Sequence, residues 1–362
     1  MKRIWIQRIG AAVLCAVLLA GCVPGGPAAD STASADPLTG QEQQYPGQRP
    51  AAVVIDNAPG STTQWGIGSA SVVLEAAARA DTAPSLCLVY PSVSAMPTVG
   101  PVTLGQDLFW RLLSGQQVLP IQRGCDLYTR NFLDYWNLRA VDALETGRNA
   151  FTTGNTDWAS PLWCTNGQSV AKVLSSLSLS SALSEDPAES ADSTQEGDTP
   201  AVPTVPALLP QQTDGHLPDA DAADAVQAAV QFPSGSTTRF AYDTDTGTYG
   251  MMHNDGSPQL DANTGIQAAF DNLLVLYSAS TPRDDGRTLD YDLTMGGGLW
   301  LNGGHLWHIT WTQGTGSTFA FYDADGRPLR ILSGRSYIAW LSSLTGEEVT
   351  VQDSAGNDLL QP

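Results

Sequence analysis

The chain has 362 residues, with 17 basic residues against 37 acidic ones, a net charge of −20. A surplus of that sign argues against nucleic acid as a partner, because phosphate contacts need a basic face, and it repels anionic polymers and lipid headgroups. The length allows two domains with real hydrophobic cores.

Lys2, Arg3 and Arg8 form a short basic region, and Ala11 to Ala20 follows as an unbroken apolar run. Such a pattern is a secretory signal, and the run is shorter than the roughly 20 residues that a bilayer span needs. It ends in Leu19-Ala20-Gly21-Cys22, which resembles the bacterial lipobox. The resemblance implies cleavage before Cys22 and acylation of that residue, which places residues 1–21 in the signal. Two or more acyl chains anchor stably, since each buried CH₂ contributes about 0.8 kcal/mol. Loss of Lys2, Arg3 and Arg8 takes the net charge from −20 to −23.

Residues 22–48 are rich in Pro, Gly, Ala and Ser and read as a flexible tether. A mixed α/β domain is expected over 49–183. Ala51 to Ile55 is a compact apolar run closed by Asp56-Asn57, so a buried strand. Ser69 can cap a helix running through Val72, Val73 and Ala76, and Leu86 to Tyr90 reads as a second strand. Leu108, Phe109, Leu112 and Leu113 share one face of a helix. Phe132, Trp136 and Val141 suit another helix, and Asn166 can cap a third with Val170, Val173, Leu174 and Leu177 inward.

Between Lys172 and Arg239 there is no Lys or Arg but ten carboxylates, from Glu185 to Asp224. With Pro187, Pro200, Pro203, Pro206 and Pro210 among them, residues 184–218 read as an acidic linker that cannot bury enough apolar surface to offset ordering. A β-rich domain built from hairpins follows over 219–345, and 346–362 is left as a tail. Thr238–Tyr242 and Thr248–Met252 flank Asp245-Thr246-Gly247, and Asn272–Ser278 is a strongly apolar strand. Leu299–Leu301 and His305–Trp311 flank Asn302-Gly303-Gly304, a tight hairpin turn. Phe319–Tyr322 and Leu329–Leu332 flank Asp323-Ala324-Asp325-Gly326, and Tyr337–Leu341 closes the set. The one candidate helix after Tyr249 is Gly265–Asp271. The fold class expected is α+β.

Several of these segments, taken in order, resemble the YerB-like lipoproteins, a family defined by paired N- and C-terminal domains of unknown function. They are Arg49 to Asn57, Gly66 to Glu75, Gly100-Pro101-Val102, Asp261 to Val275, Trp311, Tyr322 to Leu329, and Ser333-Gly334-Arg335-Ser336-Tyr337. The resemblance covers Arg49 to about Leu341, with the acidic linker as an insertion. It also shows two departures. The family pattern has two arginines around Ser-Ala after Gly-Pro-Val, where this chain has Thr103-Leu104-Gly105-Gln106. A family Pro-His-Asn aligns with Pro161-Leu162-Trp163. Any anion chemistry of those family residues is therefore not carried over.

Candidate sites are few. His253, Asp255 and Asp261 cluster in one loop and could bind a ligand or polarise a water, although a polar turn is the preferred reading. One imidazole does not make a metal site, and no metal is expected. His305 and His308 would share a helix face, but on a strand they fall on opposite faces. The same alternation puts His305, Trp307, Ile309 and Trp311 in one row, usually core. The sharper reading is a sugar-stacking platform of Trp300, Trp307 and Trp311. Of the cysteines outside the signal and the anchor, Cys125–Cys164 is the pair expected if a disulfide forms, with Cys87, Cys125 and Cys164 as buried thiols the preferred alternative. Arg123 and Arg130 flank Cys125 and could lower its pKa. There is no Gly-x-Ser-x-Gly elbow and no phosphate loop, and no cofactor is expected.

The expected function is that of a cell-envelope lipoprotein on the extracytoplasmic face of the membrane. Its partners would be the membrane, through the lipid, and an envelope protein or wall polymer. A non-catalytic binding or scaffolding role ranks first. A carbohydrate-binding module using the tryptophans comes second, and an enzyme acting through Cys125 or Cys164 third.

Overall fold

A computed structural model describes residues 34–58, 63–153, 162–184, 202–213, 217–314 and 317–360. The signal, Cys15, the Cys22 anchor, the tether up to residue 33 and most of the acidic linker lie outside the described residues.

The apolar runs of both halves enter one sheet. In chain order its strands are β1 (Ala51–Asp56), β2 (Val72–Ala76), β3 (Ser85–Tyr90), β4 (Leu119–Gln122) and β5 (Val141–Asp142). A second sheet supplies β6 (Gln227–Gln231), β7 (Thr237–Asp243), β8 (Thr248–Met252) and β9 (Ala269–Phe270). The first sheet resumes with β10 (Asn272–Ser278), β11 (Met295–Asn302), β12 (His305–Gln313), β13 (Phe319–Tyr322), β14 (Pro328–Leu329) and β15 (Ser336–Ser342). Last comes β16 (Glu348–Gln352). The large sheet has 11 strands in the order β14-β13-β12-β11-β10-β15-β2-β3-β1-β4-β5, and the small one has five, β9-β8-β7-β6-β16.

The seam between the halves is the parallel pair β2–β15, with Val72 opposite Ser336 and Glu75 opposite Ala339. β15 also runs parallel to β10, from Asn272 opposite Ser336. A strand with parallel neighbours on both sides is covered on both faces, and every residue of β15 is buried. The expectation for Tyr337–Leu341 was a strand that closes a hairpin set. It is instead the middle of the sheet.

Alternation along each strand sends side chains to two cores. Val53, Ile55, Val73, Leu88, Tyr337 and Ala339 face the small sheet, through Phe240, Met251 and Phe270, and a helix α3 (Gly167–Leu174) through Val170, Val173 and Leu174. Val54, Leu74, Cys87, Leu276, Trp300 and Trp340 face the other way, toward α1 (Asp107–Leu112) and the pair Leu208 and Leu209. The small sheet has one face free, so its strands alternate buried and exposed instead of reading as continuous apolar runs.

Local chemistry sets the ends of these elements. The Asn166 side chain accepts from Ser169 N at 2.8 Å and starts α3, as expected of a cap. Gly303 and Gly304 both have positive φ, 58° and 77°, which the two-residue turn between β11 and β12 requires.

Four expectations are corrected. The segment Val72–Ala76 is a strand, because the central position between β3 and β15 overrides its helical spacing, and Ser69 instead ends a short 3₁₀ turn, Ile67–Ser69. A helix α2 (Leu127–Tyr135) stops before Trp136, and Val141 belongs to β5. Gly265–Asp271 is a turn followed by β9. The ordered fold also reaches further than composition suggests. Leu38 and Leu209 are fully buried, and Leu208 N donates to Pro37 O at 2.8 Å, which joins the tether's end to the linker's end. Within the expected tail, Glu348–Gln352 is β16, an edge of the small sheet.

Candidate functional site

Glu75 lies in mid-seam, on the face of β2 that meets the small sheet, and is fully buried. A buried charge needs partners, and here the partners are all neutral. Glu75 Oε1 accepts from Asn57 Nδ2 at 2.7 Å and from the Thr238 hydroxyl at 2.9 Å, while the Tyr337 hydroxyl donates to Oε2. Burial raises the carboxyl to about 7, with the three donors working against that rise. The Tyr337 hydroxyl is itself pushed well up, by burial first and then by Glu75.

The network continues outward. Gln64 Nε2 donates to Asn57 Oδ1 (3.0 Å) and Asp56 O (2.8 Å), and Gln259 Nε2 donates to Gln64 Oε1. Asn57, Thr238 and Gln259 also line a cleft of about 320 Å³ between the end of β1 and the small sheet, and its outer wall includes Ala58, Thr237, His253, Asp255 and Leu260. The cleft is within the size range of small-molecule sites. Its inner wall is thus held from behind by buried hydrogen bonds that lead to Glu75.

Beside this network a second set of contacts joins the halves. Arg335 donates from Nε to Ala70 O (2.9 Å), from one terminal nitrogen to Ala269 O (2.7 Å) and from the other to Ile67 O (2.9 Å), and it lies over the Phe270 ring at 5.0 Å. Asp261 is fully buried and accepts from Gly66 N (3.1 Å), Gly68 N (2.8 Å) and Asn263 N (2.8 Å). Gly334 has φ 146°, and a Cβ there would fall 2.5 Å from the Asp271 carboxylate.

The sequence-predicted residues separate. His253 and Asp255 stay together on the cleft wall, but Asp261 leaves them to staple the Gly66–Gly68 backbone. Burial lowers the His253 imidazole from its ordinary value, with Asp255 opposing. The Asp255 carboxylate accepts from Ser257 N at 2.9 Å and from its hydroxyl at 2.6 Å, a turn contact. Trp300, Trp307 and Trp311 are 0, 4 and 1% exposed, so none offers a free face for stacking. Trp300 and Trp307 stack on each other at 4.2 Å, and their N–H groups go to Asn272 Oδ1 (3.0 Å) and Pro218 O (3.2 Å). The exposed indole among the described residues is Trp136, at 61%. His305 and His308 are both exposed, and His308 is fixed by Asp221.

Cys87, Cys125 and Cys164 are free thiols, so the Cys125–Cys164 pair, the alternative to unpaired thiols, is not joined. Cys164 packs against Gly100, where a Cβ would meet its sulfur at 2.8 Å, whereas Cys125 bridges to Gly105 beside β4. Burial raises Cys125, and this outweighs the lowering by Gln122 and Arg130, so the flanking arginines do not activate it. The stretch Thr103–Gln106 runs alongside, with Arg123 N donating to Thr103 O at 2.8 Å. Among the described residues no group of three His, Cys, Asp or Glu side chains could hold a metal ion.

Glu75 and Arg335 were absent from the sequence-predicted sites. The signals were a lone carboxylate inside Val72-Val73-Leu74-Glu75-Ala76-Ala77-Ala78 and a lone guanidinium next to a buried strand.

Comparison with known proteins follows the same motifs. Residues 38–180 match the model for the protein of unknown function DUF3048, N-terminal domain, and residues 228–338 match the model for its C-terminal domain. A Bacillus subtilis (strain 168) protein named "Putative lipoprotein YerB" is 26% identical over 321 residues, 87% of this chain and 88% of that protein. The crystal structure of YerB protein from Bacillus subtilis superposes with a TM-score of 0.71 at 19% identity, over 88% of this chain and 99% of that one, so the two share a fold.

Proposed function

This chain belongs to the DUF3048 family, both of whose domains it contains, and from that premise we propose that it is a lipid-anchored cell-envelope protein that acts by binding rather than by catalysis. Cys22 carries the anchor at the extracytoplasmic face, in keeping with the lipoprotein name of the relative and with the sequence around Gly21-Cys22. Among the described residues no helix is long and apolar enough to cross a membrane.

The observation that carries the binding reading is the support behind the cleft. Asn57, Thr238 and Gln259 line it, and each side chain is fixed by hydrogen bonds on the buried side. A wall held in this way needs no ordering when a ligand arrives, which is what a recognition site needs. Glu75 lies behind that wall and acts on the cleft only through its donors.

The test has two arms. Cys22→Ser should release the protein from the membrane fraction. A ligand that binds only the folded form raises its stability. The protein should therefore unfold at a higher temperature in intact envelopes than after purification, and Ala58→Phe, which fills the cleft, should abolish the difference. An equal increment in Ala58→Phe would refute the cleft as the binding site.

A further inference from the structure

We propose that the cleft between the end of β1 and the small sheet takes an uncharged, hydroxyl-bearing ligand of the size and chemistry of a neutral sugar unit. The inference rests on the reading of the cleft as the binding site and adds the class of ligand.

No Lys or Arg is among the described residues lining the cleft. Arg239, on the neighbouring β7, donates from Nε to the Asn254 carbonyl at 3.3 Å instead of lining it. A phosphate or carboxylate would therefore be desolvated there without a cation, which is costly. The one carboxylate of the lining, Asp255, is exposed and already accepts from Ser257, so it gives a buried cation no enclosed counter-charge.

The His253 ring, the Thr237 hydroxyl and the exposed Asn254 carboxamide make no hydrogen bond to other described residues, and all three line the cleft. Each both donates and accepts, the imidazole because it is neutral in this half-buried place. A sugar hydroxyl also does both, so either orientation of each bond can be satisfied. Met252, Pro258 and Leu260 supply apolar surface beside these groups, and Leu260 is 47% exposed. A ring with polar edges and C–H faces matches that mixture. The volume of about 320 Å³ admits one or two such rings.

The test uses the full chain in detergent and three probes, di-N-acetylchitobiose, glycerol phosphate and spermidine, each titrated by calorimetry. The neutral saccharide should bind, Thr237→Val should weaken it about tenfold through the loss of one hydrogen bond, and Ala58→Phe should abolish it. Binding of glycerol phosphate or spermidine that is lost in Ala58→Phe, with no saccharide binding, would overturn the ligand class and leave the cleft standing. Saccharide binding that survives Ala58→Phe would overturn the site. If no probe binds, the ligand class is overturned, and the envelope stability test then decides the cleft on its own.

Discussion

Two ionisable groups lie within a few residues of each other along the seam, Glu75 fully buried and Arg335 half-buried, and they are handled in opposite ways. Arg335 stands just before β15 and gives its guanidinium to three backbone carbonyls, with no carboxylate at ion-pair distance among the described residues. Glu75, three residues into β2, has three neutral donors and no cation. A guanidinium cannot shed its proton, so its place must supply acceptors permanently. A carboxylate can take up a proton and become neutral, so its place tolerates two states. The Arg335 side of the seam is therefore a fixed joint, and the Glu75 side responds to pH.

The largest expected effect tests the fixed joint. Arg335→Ala leaves three inward carbonyls without donors and should cost about 4 kcal/mol in urea unfolding, with Arg335→Lys recovering less than half because an ammonium cannot span the same three acceptors. A loss near zero would mean that the halves are held by the strands alone.

The second effect tests the responsive side. The folded state keeps a proton on Glu75 up to about pH 7, whereas the unfolded chain releases it near the ordinary value of 4.5. The stability from this group is thus full below about 4.5 and is lost as pH rises through 7, by on the order of 3 kcal/mol. Glu75→Gln mimics the neutral form. It should be more stable than the parent at pH 8 and nearly equal to it at pH 5. Parallel pH profiles for the two proteins would contradict the assignment.

Asp261→Asn should have the third effect, about 2 kcal/mol, because one oxygen that accepts from backbone N–H becomes an amide donor facing another donor. The smallest belongs to Cys125. Cys125→Ser should change stability by less than about 0.5 kcal/mol, and alkylation of the native thiol should be slower than that of a free cysteine, since burial raises it. Fast modification at neutral pH would revive a nucleophilic role for that residue.

Much of this contrast was hidden in the sequence, for identifiable reasons. Strand β1, helix α1, the Asn166 cap and the Gly303-Gly304 turn were legible because local chemistry and tertiary position agree there. Strand β2 was not. Its apolar residues suit a helix, and only its place between β3 and β15 makes it a strand, so Glu75 was passed over. The alternation in β12 was read correctly, but a period of two cannot say whether a row of indoles meets solvent or another layer. Here it meets Trp340 and Phe319. Asp261 was grouped with His253 by proximity in the chain, although the turn after Leu260 sends it to the opposite half. The family motifs fared better. Asn57, Gly66, Glu75, Asp261, Arg335 and Tyr337 come from four separate stretches and all meet at the seam.

The most direct measurement is the titration of Glu75 itself, by ¹³C NMR of carboxyl-labelled glutamate, with Glu75→Gln used to assign the resonance. The Glu75 carboxyl should titrate near pH 7, well above the ordinary value of 4.5. A Glu75 resonance that moves at the ordinary value of about 4.5 would mean that the carboxylate is solvated or paired, and the buried support behind the cleft would not exist.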